Sequence, residues 1–373
     1  MAHKYIWQGS KWPDFYWQDI DLINVLAECR RRQGRLNVQA AAVGLVEQAD
    51  VLIEEALTTS AIEGELLDRH SVRSSVAKLL GLPTAGLPTT QSKIEGLVEM
   101  LLDATKRHDK PLTKERLCGW QAALFPTGYS GIRKITVGDW RQGSEPMQVV
   151  SGAIGKEKIH YEAPSSSQMN REMKQFLHWW NHPPAKLDGL LRAGIAHFWF
   201  VTIHPFDDGN GRLARAITDM AIAQDEEANF RLYSLSSQIM RERSEYYQVL
   251  EQTQKGNGDI TPWLCWYLGM FVRAIAHSDA LISRTLRIAE FWKTHRDAPL
   301  NPRQLKVIKR MLDTGTSEFE GGMTNRKYVS LNRVSRETAK RDLAELEKMG
   351  IFRRNAGHGR SVSYAINLDV NSK

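Results

Sequence analysis

The chain has 373 residues, 42% of them hydrophobic and 25% charged, and a formal net charge of +7. That length exceeds one compact core and points to two or three domains of an ordinary globular protein. The sequence has no apolar run long enough to span a membrane as a helix, no leader-like apolar stretch in Met1–Trp7 and no closely paired cysteines; neither a membrane-spanning helix nor a disulfide scaffold is expected, and the cytoplasm is the expected location.

The opening stretch is aromatic, with Trp7, Trp12, Phe15, Tyr16 and Trp17 around Pro13, and is expected to pack against a domain face. From Leu22 to about Leu80, apolar residues recur three and four apart with few breakers, which predicts helix. Inside this stretch lies Thr59-Ser-Ala-Ile-Glu63-Gly64. Thr59 and Glu63 are four residues apart and share one helix face. The run 81–90 (GLPTAGLPTT) reads as a linker or wide turn.

Helical patterning resumes at Lys93 and continues to about Thr285, with one interruption at Gln148–Glu162. There two short β-prone runs flank a glycine-containing turn, a hairpin signal. A lone hairpin is marginally stable, so this one must lean on the helices or on a partner.

Ala193–Val201 is apolar and leads into His204-Pro-Phe-Asp-Asp-Gly-Asn-Gly-Arg-Leu-Ala-Arg215. Pro205 stops one helix, glycines turn the chain, and helical spacing returns from Leu213 to Met220. A helix, a glycine-rich loop and a helix N-terminus make an anion site, because backbone N–H groups at Gly209, Asn210 and Gly211 lie free beside the positive end of the helix dipole. Arg212 and Arg215 add fixed charge suited to phosphate. Asp208 offers a carboxylate for a Mg2+ that bridges phosphates. His204 can accept a proton near neutral pH. A histidine beside a glycine turn is by itself an ordinary structural feature; it is the conjunction within twelve residues that points to chemistry on a nucleotide phosphate.

This segment resembles the signature of Fic domains, HxF-x-[D/E]-GNGR-xx-R, at every defined position. The resemblance implies a mostly helical fold that binds ATP with Mg2+ and transfers AMP to a Tyr, Thr or Ser hydroxyl of a target protein. It implies His204 as general base, Asp208 as metal ligand, Asn210 with Gly209 and Gly211 around the α- and β-phosphates, Arg212 and Arg215 on the outer phosphates, and Phe206 packed under the loop. The related Doc kinases carry lysine where Gly211 stands, so Gly211 favours AMP transfer over phosphate transfer. The hairpin, with Val149, Val150 and Ser151, falls where Fic proteins have a flap that holds a target segment by strand addition. Tyr246 and Tyr247 resemble the pair bordering the adenine, with core packing as the alternative. Gln254 lies where some relatives place a side chain near adenine.

The run Thr59–Gly64 resembles the Fic inhibitory motif [S/T]-xxx-E-[G/N]. It implies that Glu63 pairs with Arg215 and displaces the γ-phosphate, with a solvated glutamate as the alternative. The same glutamate supports AMP removal in some relatives, so a bifunctional enzyme is among the expectations, as is a homodimer.

Between Gly321 and Ser363, ten Lys and Arg face four acids, which is nearly all of the net charge. Ser335 caps a helix that ends at Gly350, with Ala339, Leu343, Leu346 and Met349 on one face and Arg336, Lys340 and Arg341 elsewhere. Ile351-Phe352 and Val362–Tyr364 flank Arg353, Arg354 and Arg360, a strand–wing–strand pattern. This resembles a winged helix, which implies DNA, or else another protein, as partner.

The expected architecture is an all-α N-terminal extension (1–85), an all-α Fic core with one β flap (91–285) and a C-terminal winged-helix domain (300–373). The leading function is a protein adenylyltransferase restrained by Glu63. The alternative is a DNA-binding transcription regulator whose Fic core senses nucleotide.

Overall fold

The computed structural model describes residues 4–40, 44–84, 87–151, 158–313, 321–355 and 362–368. The chain divides into two compact units, 1–278 and 279–373. The boundary falls inside one helix of the element order below.

In the first unit, helices α1 (Asp19–Ala40), α2 (Leu45–Ile62), α3 (Arg69–Leu80), α4 (Ser92–Lys106) and α5 (Lys114–Leu124) precede two small hairpins. The first pairs β1 (Tyr129–Ser130) with β2 (Arg133–Lys134), and the second pairs β3 (Gln148–Ser151) with β4 (Lys158–Glu162), both antiparallel. Then come α6 (Met169–Asn181), α7 (Gly189–Ile203), α8 (Asn210–Glu226), α9 (Leu235–Arg241), α10 (Arg243–Gln254) and α11 (Thr261–Thr294). The single helical stretch expected over 22–80 is thus three helices. Asp68 marks one of the breaks: it caps α3 by accepting from the Ser71 N–H at 2.7 Å.

The core is centred on α7 and α8. Asp188 caps α7 by accepting from the Leu190 N–H at 2.8 Å. Every residue from Leu190 to Phe200 is buried, as expected for a helix that is apolar nearly all round. The two helices run antiparallel, since Arg192 near the start of α7 donates to Gln224 near the end of α8 at 2.7 Å. The turn that joins them, 204–209, therefore sits at one end of the pair, where side chains from other elements can gather.

The aromatic N-terminus packs as its composition predicts. Phe15 sets its ring edge-on to Phe198 and Trp199 of α7, at 5.7 Å from each. Tyr5 packs edge-on to Tyr161 of β4 at 5.2 Å, and Trp7 donates to the Glu162 carbonyl at 2.8 Å. The second hairpin leans on this opening segment and on α7, where the Tyr161 hydroxyl donates to the Thr202 carbonyl at 2.7 Å.

The second unit holds the end of α11, then α12 (Pro302–Asp313), β5 (Met323–Thr324), α13 (Asn325–Asn332), α14 (Arg336–Lys348), β6 (Phe352–Arg354) and β7 (Ser363–Ile366). Its three strands form one antiparallel sheet in the order β5-β7-β6. The strands β6 and β7 follow the sequence pattern; the two-residue β5 is too short to leave one. A core of Val307, Ile308, Leu343, Leu346 and Phe352 closes the unit. The buried Asp342 of α14 accepts from the Tyr328 hydroxyl and from Arg303, both at 2.9 Å. Arg336, Lys340, Arg341, Arg353 and Arg354 are exposed, and Arg360 lies outside the described residues.

Among the described residues, no helix is long and apolar enough to cross a membrane.

Candidate active site

The turn between α7 and α8 is built largely from its own residues. His204 ends α7 in the left-handed region at φ 54°, a conformation that costs a non-glycine residue energy and swings its ring out of the helix. Its Nδ1 lies 3.2 Å from the Val201 carbonyl. A carbonyl only accepts, so Nδ1 carries the proton and Nε2 keeps its lone pair. Burial, aided by the nearby Arg141 guanidinium and opposed by the Val201 carbonyl and by Glu63 and Asp208, lowers the His204 pKa to about 4. At neutral pH the ring is therefore an unprotonated base.

Gly209 turns the chain at φ 91° and opens α8. The Phe206 N–H donates to Asn210 Oδ1 at 2.9 Å, and Asn210 Nδ2 donates back to the Phe206 carbonyl at 2.7 Å. The Asn210 amide thus shapes the loop, and an anion must be met by the backbone. The Gly209 N–H, expected to be free, donates to Asp208 Oδ1 at 2.6 Å. Helix geometry instead leaves Asn210, Gly211 and Arg212 as the N–H groups without intrahelical partners. Phe206 is fully enclosed against Trp140, ring centroids 5.0 Å apart, and supports the turn from beneath.

Three groups that the sequence did not single out complete the turn. Arg141, 3% exposed, donates to the His204 carbonyl at 2.8 Å, while its N–H donates to the Pro205 carbonyl at 2.9 Å. Ser130 of β1 donates its hydroxyl to Asp208 Oδ2. Glu65 accepts from Arg212 Nη1 at 3.1 Å and pairs through its other oxygen with Lys93 at 2.5 Å. A signal existed for Glu65 alone, since it stands two residues beyond Glu63 in an acidic run.

Asp208 is half-exposed, and its nearest Arg212 nitrogen is 3.9 Å away. Among the described residues no cluster of three metal-ligating side chains exists. One accessible carboxylate beside a turn with open helix N–H groups could hold Mg2+, an ion commonly held by one or two carboxylates together with substrate phosphates.

Arg215 is 2% exposed and meets the end of α2 through three hydrogen bonds from two of its nitrogens. Its Nε donates to Thr59 Oγ1 at 2.7 Å, and its Nη2 donates to the Thr59 carbonyl at 2.8 Å and to Glu63 Oε1 at 2.7 Å. Glu63 closes α2, and Gly64 follows at φ 85°. A methyl group at Gly211 would stand 2.1 Å from Glu63 Oε1, so the absent side chain is what admits the carboxylate. Thr59, Glu63, Gly211 and Arg215 form one contact, and Gly64 turns the chain just beyond it.

The aromatic pair divides. Tyr246 is 2% exposed and its hydroxyl lies 2.9 Å from His197 Nε2, while His197 Nδ1 lies 2.9 Å from the Thr218 hydroxyl. Gln254, 4% exposed, donates to the Thr202 hydroxyl at 3.2 Å. In this arrangement neither has surface to offer a nucleotide; both lock α10 onto α7. Tyr247 is partly exposed beside the Ile62 carbonyl, to which Arg243 donates at 2.8 Å.

In the second hairpin Val149 pairs with Tyr161, Val150 with Ile159 and Ser151 with Lys158. Val150 and Ile159 are exposed. On the inner side, His160 Nδ1 lies 2.6 Å from Glu251 of α10.

Comparison with known proteins agrees with this geometry. Residues 111–222 match the Fic/DOC family model, and residues 5–82 match a domain of unknown function, DUF4172. The chain is 32% identical over 145 residues to protein adenylyltransferase fic-1 of Caenorhabditis elegans, covering 38% of this chain and 25% of that protein. It is 25% identical over 270 residues to protein adenylyltransferase Fic of Drosophila virilis, covering 71% of this chain and 47% of that protein. The chain thus spans a quarter to about half of the length of these relatives. A solved Fic family protein from Desulfovibrio desulfuricans G20 matches with a TM-score of 0.53 at 18% identity, over 93% of this chain and 96% of that one; this likeness is one of fold. With a complete HPFDDGNGRLAR segment at the turn between α7 and α8, the chain carries a Fic/DOC family domain.

Proposed function

We propose that this chain is a protein adenylyltransferase, transferring AMP from ATP to a hydroxyl of a target protein, and that Glu63 restrains it. One observation carries the reading: a neutral imidazole with a free Nε2 stands at the mouth of a turn whose first helical N–H groups are open and whose two arginines lie on the first turns of α8.

In the transfer step His204 Nε2 takes the proton of the acceptor hydroxyl. The oxygen forms its bond to the α-phosphorus, the bond from that phosphorus to the bridging oxygen of the β-phosphate breaks, and diphosphate leaves. Backbone N–H groups of Asn210–Arg212 stabilise the charge on the phosphate oxygens. Asp208, oriented by Ser130, would hold a Mg2+ that neutralises the outer phosphates. Arg212 and Arg215 serve those phosphates once Glu65 and Glu63 withdraw. The backbone edge of β3 at Val149, Val150 and Ser151, with the Val150 side chain exposed, would align an extended target segment by strand pairing.

Label from α-labelled ATP in the Glu63→Gly protein, lost on adding His204→Ala, is the expected outcome. Label from the γ-position instead would make the chain a kinase, and no label in either form would sink the enzyme reading. If Glu63 also directs AMP removal, the wild-type chain will release AMP from modified target faster than Glu63→Gly.

A second reading concerns 300–373 alone. The order helix, strand, helix, helix, strand, strand, with exposed Arg336, Lys340 and Arg341 on α14 and Arg353 and Arg354 on β6, supports a winged-helix module that meets DNA phosphates. Duplex affinity that falls linearly with the logarithm of salt concentration, and whose slope shrinks in Lys340→Ala, is expected; no binding at low salt would leave protein docking as its role.

A further inference from the structure

We propose that Arg141 is a positioning residue that holds the His204 imidazole and the edge of β3 in one frame, so that an acceptor hydroxyl arriving on that edge meets the base. The inference rests on the reading that His204 is the base and that the hairpin of β3 and β4 receives the target.

Two of the polar groups of His204 are bonded by its own helix. Its N–H donates to the Phe200 carbonyl at 3.0 Å, and its Nδ1 donates to the Val201 carbonyl at 3.2 Å. Its carbonyl is held from outside, by Arg141 Nε at 2.8 Å. That hold matters because His204 has φ 54° and ψ 60° and precedes Pro205. A residue before proline is steered toward extended backbone, and a non-glycine residue keeps the left-handed conformation only where its surroundings over-determine it.

The same guanidinium reaches the hairpin. Arg141 Nη2 donates to the carbonyl of Pro164, just beyond the end of β4. Next to it the Ala163 N–H donates to the Met147 carbonyl at 2.9 Å, which closes the base of the hairpin one residue before β3. One planar fork thus joins the hairpin that would align a target to the residue that would take its proton. A lysine brings one nitrogen on a flexible stem and does not hold two carbonyls at a fixed separation.

An apolar side chain would fill this space at less cost. Arg141 is 3% exposed, and burial lowers its pKa against the pull of Asp207, whose carboxylate accepts from the Thr136 N–H at 2.8 Å. A buried charge is costly unless hydrogen bonds compensate it, and here two of its side-chain bonds go to the carbonyls of His204 and Pro164. Replacing the side chain leaves those carbonyls unmet. Two other ties survive: the main-chain N–H of residue 141 on the Pro205 carbonyl at 2.9 Å, and the Tyr161 hydroxyl on the Thr202 carbonyl at 2.7 Å. The hairpin and the turn are then loosened relative to each other and not lost.

The test compares two acceptors for α-labelled ATP in the full-length Glu63→Gly chain. Proteins of a cell extract must align on the hairpin; water, read as free AMP formed without extract, need not. With saturating ATP, Arg141→Met should lower protein-bound AMP about 10²-fold, the scale of an ångström's misplacement. Free AMP should fall less, so that the ratio of the two products drops about fivefold or more, while ATP binding by calorimetry stays within about threefold. Arg141→Lys, which keeps the charge without the fork, should lie between, and it carries the test if Arg141→Met fails to fold by circular dichroism. Undiminished protein-bound label in a folded variant overturns the proposal, as does a loss of ATP affinity that matches the loss of rate. Equal loss of both products confines Arg141 to the base and overturns the shared frame. If Glu63→Gly itself forms neither product, the functional reading fails, and hydrogen exchange decides the frame. Amides within 158–164 and 201–206 should then exchange faster in the Arg141 variant than in wild type, and unchanged exchange in either stretch overturns it.

Discussion

The turn at 204–212 and the end of α2 at 59–65 meet at two arginines, yet they are built in opposite ways. The turn is held chiefly by short-range bonds, with His204 on the Val201 carbonyl and Asn210 on the backbone of Phe206. At the α2 end the side chains instead meet partners far along the chain, Thr59 and Glu63 on Arg215 and Glu65 on Arg212 and Lys93. On the proposed reading, a turn held this way keeps its shape when the Glu63 carboxylate is removed. Chemistry and restraint are thus separable by mutation, which the following substitutions exploit.

The largest effect belongs to the turn. With Glu63→Gly as background, His204→Ala should lower AMP transfer by about 10²–10⁴-fold, the usual range for a lost general base, while ATP binding by calorimetry stays within a few-fold. A large loss of ATP affinity would show that His204 holds the turn and does not act as base.

Next comes the carboxylate on Arg215. Its charge-assisted bond is worth about 1.5–3 kcal/mol by analogy with similar bonds, so Glu63→Gly should raise transfer by roughly 10–100-fold. Gly211→Ala sharpens the same point from the other side. Its methyl group would crowd Glu63 Oε1, so transfer should rise several-fold in the wild-type background and not at all once Glu63 is gone. A rise in both backgrounds would show that Gly211 acts on the turn itself.

Glu65→Gln should have a smaller effect, because its pair with Arg212 is partly solvated. An increase of about two- to fivefold in ATP affinity in the Glu63→Gly background is expected from titration, roughly the value of an exposed ion pair. No change would place Arg212 outside phosphate binding.

The smallest expected effect is that of pH. The His204 pKa is depressed to about 4, so the base stays deprotonated as pH falls from 8 to about 5, and transfer should be flat over that window. The folded state also binds fewer protons at this residue than the unfolded state between pH 6.5 and 4, so its contribution to stability falls as pH drops through that window and is fully present above it. A transfer rate that halves near pH 6.5 would mean that the ring is solvated when substrate is bound.

The same contrast explains what the sequence disclosed. His204, Asp208, Asn210, Arg212 and Arg215 were legible because a helix stop, glycines and charge fall in one run. The hairpin at 148–162 announced itself by β-prone residues around a turn. Arg141 left no trace, since a lone arginine 63 residues from its carbonyl partner has no spacing to betray it. Ser130 sits in a strand of two residues, below any periodic signal. Tyr246 and Gln254 were placed by analogy at the adenine, but helix spacing alone does not say which face α10 buries; Tyr246 turns its hydroxyl to His197 and Tyr247 keeps the accessible side.

Position 211 has an evolutionary corollary. Because the Glu63 carboxylate occupies the volume that a side chain there would enter, a change from glycine to lysine would, on the proposed reading, touch the handling of phosphate and the restraint together. On the proposed reading, such a lineage would displace the Glu63 carboxylate and weaken its hold on Arg215 in the same mutational step.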